Sequence, residues 1–276
     1  MKNKFGAHHL AWVCLFAACS ACAVETSDKA EKADRTQNPP ADARWLELIM
    51  NTDAGVTPLP ATLEYESEKC REMRAYGVGG QSQSGSTMMR AQSFEHVDLV
   101  KEPEGHSYKA RFAIDAGGRC EWKLVSLETS FMFRSSHPLA KGMEVRSTRT
   151  TFTFRDRKDA VRAPNVRMKL THFPVILVRD DPRQNELRLR AEGLFIPPSF
   201  DPSASGMMIL EWKVLDDMAM LVRADAGNRY RYEVTYPDGA MGTDTSVGQV
   251  GVDDERMQCL LRLGRRNCDE FAPRKR

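Results

Sequence analysis

Residues Ala113–Ser130 read AIDAGGRCEWKLVSLETS, and this stretch decides the fold class. Just before it, Tyr108, Ala110, Phe112 and Ile114 alternate with Lys109, Arg111 and Ala113, the period-2 pattern of a half-buried strand. Asp115-Ala116-Gly117-Gly118 then supplies small residues. Its two glycines tolerate positive φ, as a tight reversal requires. On the far side Cys120, Trp122 and Leu124 share one face, and Arg119, Glu121 and Lys123 the other. The spacing predicts a β-hairpin whose return strand sets a cysteine and a tryptophan on the core face, with Cys120 bonded to another cysteine.

The same alternation recurs downstream. Thr150, Phe152 and Phe154 mark one face of Met143–Arg155, and Leu187, Leu189 and Ala191 alternate with Arg188 and Arg190. Tyr230, Tyr232, Val234 and Tyr236 face one way before Pro237-Asp238-Gly239, where proline fixes φ and glycine accepts φ > 0. Val166–Val178 is apolar in its second half, but Pro174 argues for an edge, a bulge or two separate strands. Two segments read as helices. In Leu63–Tyr76, Glu64, Glu66 and Glu68 precede Arg71 and Arg74, the favourable order for helical charge pairs. Asp253–Arg262 has acids at its start and an arginine at its end, which complement the helix dipole. Gly77–Thr87 reads as a flexible loop. The expected fold is mainly β, a β-rich α+β chain. It is a single antiparallel β-sandwich-like domain over 44–276, with a short helix near 63–76 and a C-terminal helix near 253–262.

The N-terminus reads as an export signal. Lysines at positions 2 and 4 precede the apolar run Leu10–Ala18, which is too short to span a bilayer comfortably. The run ends Phe16-Ala17-Ala18-Cys19-Ser20-Ala21-Cys22, which resembles the bacterial lipobox except that Phe16 stands where leucine is usual. Cys19 is the expected lipidation site and Cys22 the alternative, so the signal covers 1–18, or ends at 21 or 23. Neither Ser20 nor Ala23 is the aspartate that resembles an inner-membrane retention signal. That implies an outer-membrane lipoprotein facing the periplasm. Residues 19–43 are polar and proline-bearing over most of their length, and read as a disordered tether. About twenty residues of such chain reach roughly 25 Å.

Beyond the signal the cysteines are Cys70, Cys120, Cys259 and Cys268, an even number for an oxidising compartment. Of the three pairings, Cys70–Cys120 with Cys259–Cys268 is the one expected. No CxxC pair occurs among them, which disfavours a zinc site. Charge is balanced, 40 Lys+Arg against 38 Asp+Glu, so nothing draws the chain as a whole to nucleic acid.

Catalytic motifs are missing. The loop Gly80-Gln81-Ser82-Gln83-Ser84 has serine where a nucleophile elbow ends in glycine. No S-x-x-K or H-E-x-x-H occurs, and His96, His106, His137 and His172 never fall at i, i+4. No catalytic residue, metal ligand or cofactor is expected, and the chain reads as a non-enzyme. Only His172 or His137 beside a carboxylate in a deep pocket would revive an enzymatic reading. The acid pairs Asp180-Asp181, Asp216-Asp217 and Asp253-Asp254 sit at turn or cap positions, where aspartate belongs for conformational reasons.

Three patches together carry a resemblance. They are Cys70, the run Gly117-Gly118-Arg119-Cys120-Glu121-Trp122-Lys123-Leu124, and Thr235-Tyr236-Pro237-Asp238-Gly239. In layout over 60–260 the chain resembles a group of proteobacterial periplasmic lipoproteins found beside type VI secretion lipase effectors, as immunity proteins. The resemblance implies a lipid-anchored module that sequesters a toxin in the periplasm. The loops expected to meet that protein partner are Gly77–Thr87, Asp156–Pro164 and Pro197–Ser205. The matching positions are scaffold, so no binding residue carries over. The alternative is an envelope assembly or maintenance lipoprotein with a structural role.

Overall fold

A computed structural model describes residues 33–78, 81–162, 165–193, 195–225, 228–244, 254–263, 268 and 270–271. Cys19 and Cys22, and with them the signal and lipidation reading, lie outside the described residues. Two β-sheets pack together, as the alternating sequence requires. The smaller runs through Ser199–Phe200, Thr148–Phe154, Trp122–Phe133, Ala61–Val78 and Gln81–Val97, in that order. The larger is built around Asn165–Val178, Gly206–Val214 and Trp45–Thr52.

The stretch Ala113–Ser130 does more than the expected hairpin. Ser107–Ala113 pairs with Trp45–Thr52 in the larger sheet, whereas Trp122–Phe133 lies between Thr148–Phe154 and Ala61–Val78 in the smaller one. The chain therefore crosses from one layer to the other here, and only Asp115–Gly117 folds back on Trp122 and Lys123. Ile114 joins the layers: its N–H donates to Arg44 O at 2.8 Å, and its carbonyl accepts from Leu124 N at 2.9 Å. Phe112, Ile114, Cys120, Trp122 and Leu124 are all buried in one core. The faces were legible; the sheet assignment was not, because two facing sheets bury the same period-2 pattern as one hairpin.

Three further expectations are corrected. Leu63–Tyr76 is strand, part of Ala61–Val78. Leu63, Tyr65 and Ser67 alternate into the core, and the acids and arginines that suggested helical pairs bond within and across strands instead. Arg74 donates to Glu72 at 2.6 Å, and Gln92 to Glu66 at 3.0 Å. The Gly77–Thr87 loop is largely strand as well, since pairing continues to Val78 opposite Gln81. Third, the larger sheet is mixed rather than antiparallel: Gly206–Val214 pairs in parallel with both Trp45–Thr52 and Asn165–Val178. The C-terminal helix is present at Glu255–Leu263.

Pro174 sits inside an unbroken central strand. On one flank the partner of Asn165–Val178 changes there, from Val214 opposite His172 to Met220 opposite Val175. The missing N–H falls in the gap between two partners, where no ladder bond is needed. The same strand serves two cores. Leu170 and Ile176 face the other sheet, while Phe173, Val175 and Leu177 meet the C-terminal helix through Met257 and Leu260. A strand covered on both faces reads as a continuous apolar run, which is what FPVILV is.

Both expected disulfides are present, Cys70–Cys120 and Cys259–Cys268. The tether expected over 19–43 is docked at its end. Trp122 Nε1 donates to Asp34 O at 3.0 Å, and Asn38 N to Ala116 O at 2.9 Å. Gly117 and Gly118 allow that approach: a Cβ on either would stand 2.3 or 2.2 Å from the carbonyl oxygen of Asn38 or Thr36. Among the described residues, no helix is long and apolar enough to cross a membrane.

Candidate functional site

A groove follows the start of the Trp122–Phe133 strand. Three adjoining depressions of about 440, 340 and 580 Å³ form it. The first two share Arg44 and Lys123; the second and third share Lys123, Leu124, Asp156 and Pro202. Its floor is apolar, with Trp122, Ile114 and Leu124 all nearly inaccessible. Its walls are charged. Asp42, Asp115 and Glu121 line one end, Asp156 and Asp201 the middle, and Glu66 and Glu68 the other end. Arg44, Lys123, Arg90 and Arg155 are the basic side chains among them, and Lys69 and Arg162 pair with Glu121 at 2.9 Å and Asp201 at 3.2 Å.

Several of these carboxylates are fixed by neighbours. Arg44 makes a fork to Asp115, with Nε to Oδ2 at 2.7 Å and Nη2 to Oδ1 at 2.8 Å. That guanidinium holds the Asp115 carboxyl below the usual carboxylate range, and the Arg44 pKa rises in turn. Asp201 accepts from Ser203 Oγ at 2.5 Å and Ser203 N at 2.8 Å, which holds it low as well. At the far end the acids crowd. Burial pushes the Glu64 carboxyl up, and the neighbouring charge of Glu66 adds to the shift. Arg90 reaches Glu66 at 3.9 Å and Glu68 at 3.4 Å.

The groove ends at the root of a β-ribbon. Ala61–Val78 pairs with Trp122–Phe133 only from Thr62 to Glu66. From Arg71 to Val78 its described partner is Gln81–Val97 alone. A bulge between Glu66 and Arg71 marks the departure, and Cys70–Cys120 ties it to the sheet. Ser67 Oγ braces the bulge from within, accepting from Cys70 N at 2.8 Å. Along the ribbon Met73, Met88 and Met89 are 53, 46 and 44% exposed. Met73 and Met88 are cross-strand partners on one face of the ribbon, and Met89 lies on the other.

Of the three loops singled out in the sequence, Asp156 and Asp201–Ser203 come together across the groove. Part of Pro197–Ser205 is a short strand, Ser199–Phe200, pairing with Thr153–Phe154. The two histidines do not build a reactive pair. His137 Nε2 lies 3.5 Å from Asp216 Oδ2, but that carboxylate is 62% exposed, at the surface rather than in a deep pocket. His172 is buried against Trp212 and Phe131. Burial drives its pKa down to about 4, against a smaller opposing effect of its hydrogen bond with the Leu170 backbone. A neutral imidazole among aromatic rings packs like an aromatic. Among the described residues, no three His, Cys, Asp or Glu side chains cluster as metal ligands.

Sequence reasoning missed Arg44, Lys123, Glu66 and Arg90. Lys123, Glu66 and Arg90 sit at ordinary strand positions and Arg44 directly precedes Trp45–Thr52, and the groove appears only when the two sheets meet. Comparison with known proteins found no matching family model, curated protein or solved structure.

Proposed function

We propose that the chain is a non-enzymatic, lipid-anchored protein-binding module of the bacterial envelope. It is an outer-membrane lipoprotein facing the periplasm, anchored at Cys19 with Cys22 the alternative, and acts as an immunity protein that sequesters a secreted lipase effector of a type VI system. The observation that carries this reading is the charge-walled groove continuous with the root of the methionine-bearing ribbon. An apolar floor with charged walls suits a docked polypeptide segment, since burial supplies affinity while the rim sets register and partner choice. The fixed alternation of carboxylates and cations on its walls selects a segment of complementary charge pattern. Two disulfides support an oxidising compartment.

The fold suits sequestration. Groove and ribbon stand on paired strands, so little ordering is lost when a partner docks. A tether ending at Asp34, where the chain meets Trp122, would hold the inhibitor at the membrane the toxin attacks. Co-expression with the neighbouring gene product in the periplasm tests the proposal. Protection from its toxicity is expected. A toxic lipase that kills equally with and without the chain would defeat the immunity reading. An envelope defect on deletion with no toxin present would favour the structural role instead.

A further inference from the structure

The β-ribbon has two unlike faces. Its strands pair Arg71 with Arg90, Glu72 with Met89, Met73 with Met88 and Arg74 with Thr87. Arg71, Met73, Met88 and Arg90 therefore share one face, and Glu72, Arg74, Thr87 and Met89 the other. The second face is tied back to the protein. Glu72 accepts from Gln92 N at 3.1 Å and from Arg35 at 3.1 Å, and Arg74 donates to the Arg90 carbonyl at 3.1 Å. Glu72 and Arg74 are half-buried as a result, whereas Arg71, Met73, Met88 and Arg90 are all exposed. Arg90 leans back toward Glu66 and Glu68, so Arg71 is the cation that stands beside the methionine pair. The tether ends behind this ribbon, since Arg35 belongs to its docked end. About sixteen residues separate Arg35 from Cys19, a reach of roughly 22 Å r.m.s.. The ribbon arm from Arg71 to Val78 rises roughly 26 Å. An acyl anchor at Cys19 thus holds the ribbon within about its own length of the bilayer.

We propose that the face bearing Met73 and Met88 docks on the phospholipid surface that carries the anchor. The two thioether chains enter the acyl boundary and the Arg71 guanidinium stays at the phosphates, the order in which interfacial elements arrange apolar and cationic side chains. Two methionines do not hold a free protein to a bilayer. A tether changes that, because it raises the local concentration of lipid seen by the ribbon and lets a weak contact persist. Docking rests on the anchoring at Cys19 and not on which protein the groove takes. Its consequence is orientation: the groove ends at the root of this ribbon, so a docked ribbon fixes how the groove faces the membrane.

The test uses the acylated full-length mature chain, labelled with ¹³C at its methionine methyls, in nanodiscs of phosphatidylethanolamine and phosphatidylglycerol. A gadolinium-chelating lipid marks the headgroup level, and mass spectrometry reads the acyl chains on Cys19. Met73 and Met88 should relax faster than Met89 on the other face, and faster than Met241, which is 63% exposed elsewhere. Arg71→Glu, a change at an exposed strand position, should bring Met73 and Met88 down to the Met241 level by setting a carboxylate against the phosphates. A chain without acyl groups would remove the anchor on which docking rests. An acylated chain whose Met73 and Met88 relax no faster than Met241, or as fast in Arg71→Glu as in the parent, would overturn the docking alone. Protection of these two methyls only when a lipase effector is added would give the face to that protein and overturn it as well.

Discussion

His172 lies flat against Trp212, with ring centroids 5.3 Å apart and planes 16° from parallel. Both residues are buried, 2% exposed each, and Phe131 meets them edge-on. Burial holds the imidazole neutral. Its pKa of about 4 in the folded chain lies below the unfolded value near 6.5, so the unfolded state takes up the proton first as pH falls. Stability from this residue is complete above about pH 6.5 and is lost as pH falls toward 4. The loss is about 3 kcal/mol at most. Urea unfolding at pH 7 and pH 4.5 should show His172→Phe losing less stability on acidification than the parent. Equal losses would mean that the imidazole is not held neutral.

The two disulfides close loops of very different length, with cysteines 50 and 9 residues apart. The chain-entropy model gives about 4 kcal/mol for the first and about 3 for the second. Cys70→Ala/Cys120→Ala should therefore cost more than Cys259→Ala/Cys268→Ala in denaturant midpoint. It should also raise hydrogen exchange in 71–74 and 86–90, because the bond ties the ribbon root to the sheet. Unchanged exchange there would show that strand pairing alone holds the ribbon.

Arg256 and Asp238 form an ion pair whose side chains are 8 and 10% exposed. Arg256 also donates to Cys268 O at 3.1 Å and Phe271 O at 2.6 Å. It thereby joins the Pro237-Asp238-Gly239 turn, the helix and the chain end. Arg256→Ala leaves Asp238 buried without its cation and should cost about 3–5 kcal/mol. Adding Asp238→Asn should recover part of that in thermal unfolding; no recovery would place the loss in packing instead.

Gly117→Ala meets two obstacles: φ at this position is +61, and the new Cβ would reach Asn38 O at 2.3 Å. The variant should displace the segment Asp34–Pro40 from the Trp122 turn. Limited proteolysis near 34–40 and a red shift of tryptophan emission would report it. The cost should be about 1–3 kcal/mol. Gly142→Ala, with similar φ but open space around it, separates backbone strain from the lost contact.

What the sequence made legible followed from periodicity and from cysteine number. Cys120, Trp122 and Leu124 were assigned the right face, and Thr150, Phe152 and Phe154 alternate inward as their spacing implied. Leu63–Tyr76 misled because its charges satisfy helical spacing and cross-strand pairing equally; Leu63, Tyr65 and Ser67 decide it, and serine is a weak core signal. The ribbon was hidden for a related reason, since Gly- and Ser-rich sequence reads as loop although the backbone there pairs to Gln81. The groove was not legible at all. Arg44 and Asp115 are 71 residues apart, and only the layer crossing at Ile114 brings Asp156 and Asp201 beside them.

We propose that this scaffold works through its charge-walled groove and not through a reactive centre. It is tested by calorimetric titration of the full chain with the purified lipase effector proposed as its partner, using the parent and Glu66→Lys/Glu68→Lys. The account predicts a stable complex with the parent and binding weakened by at least about tenfold in the variant, with growing salt dependence in the parent alone. Absence of a complex with the parent, or equal affinity of the two proteins, would contradict it.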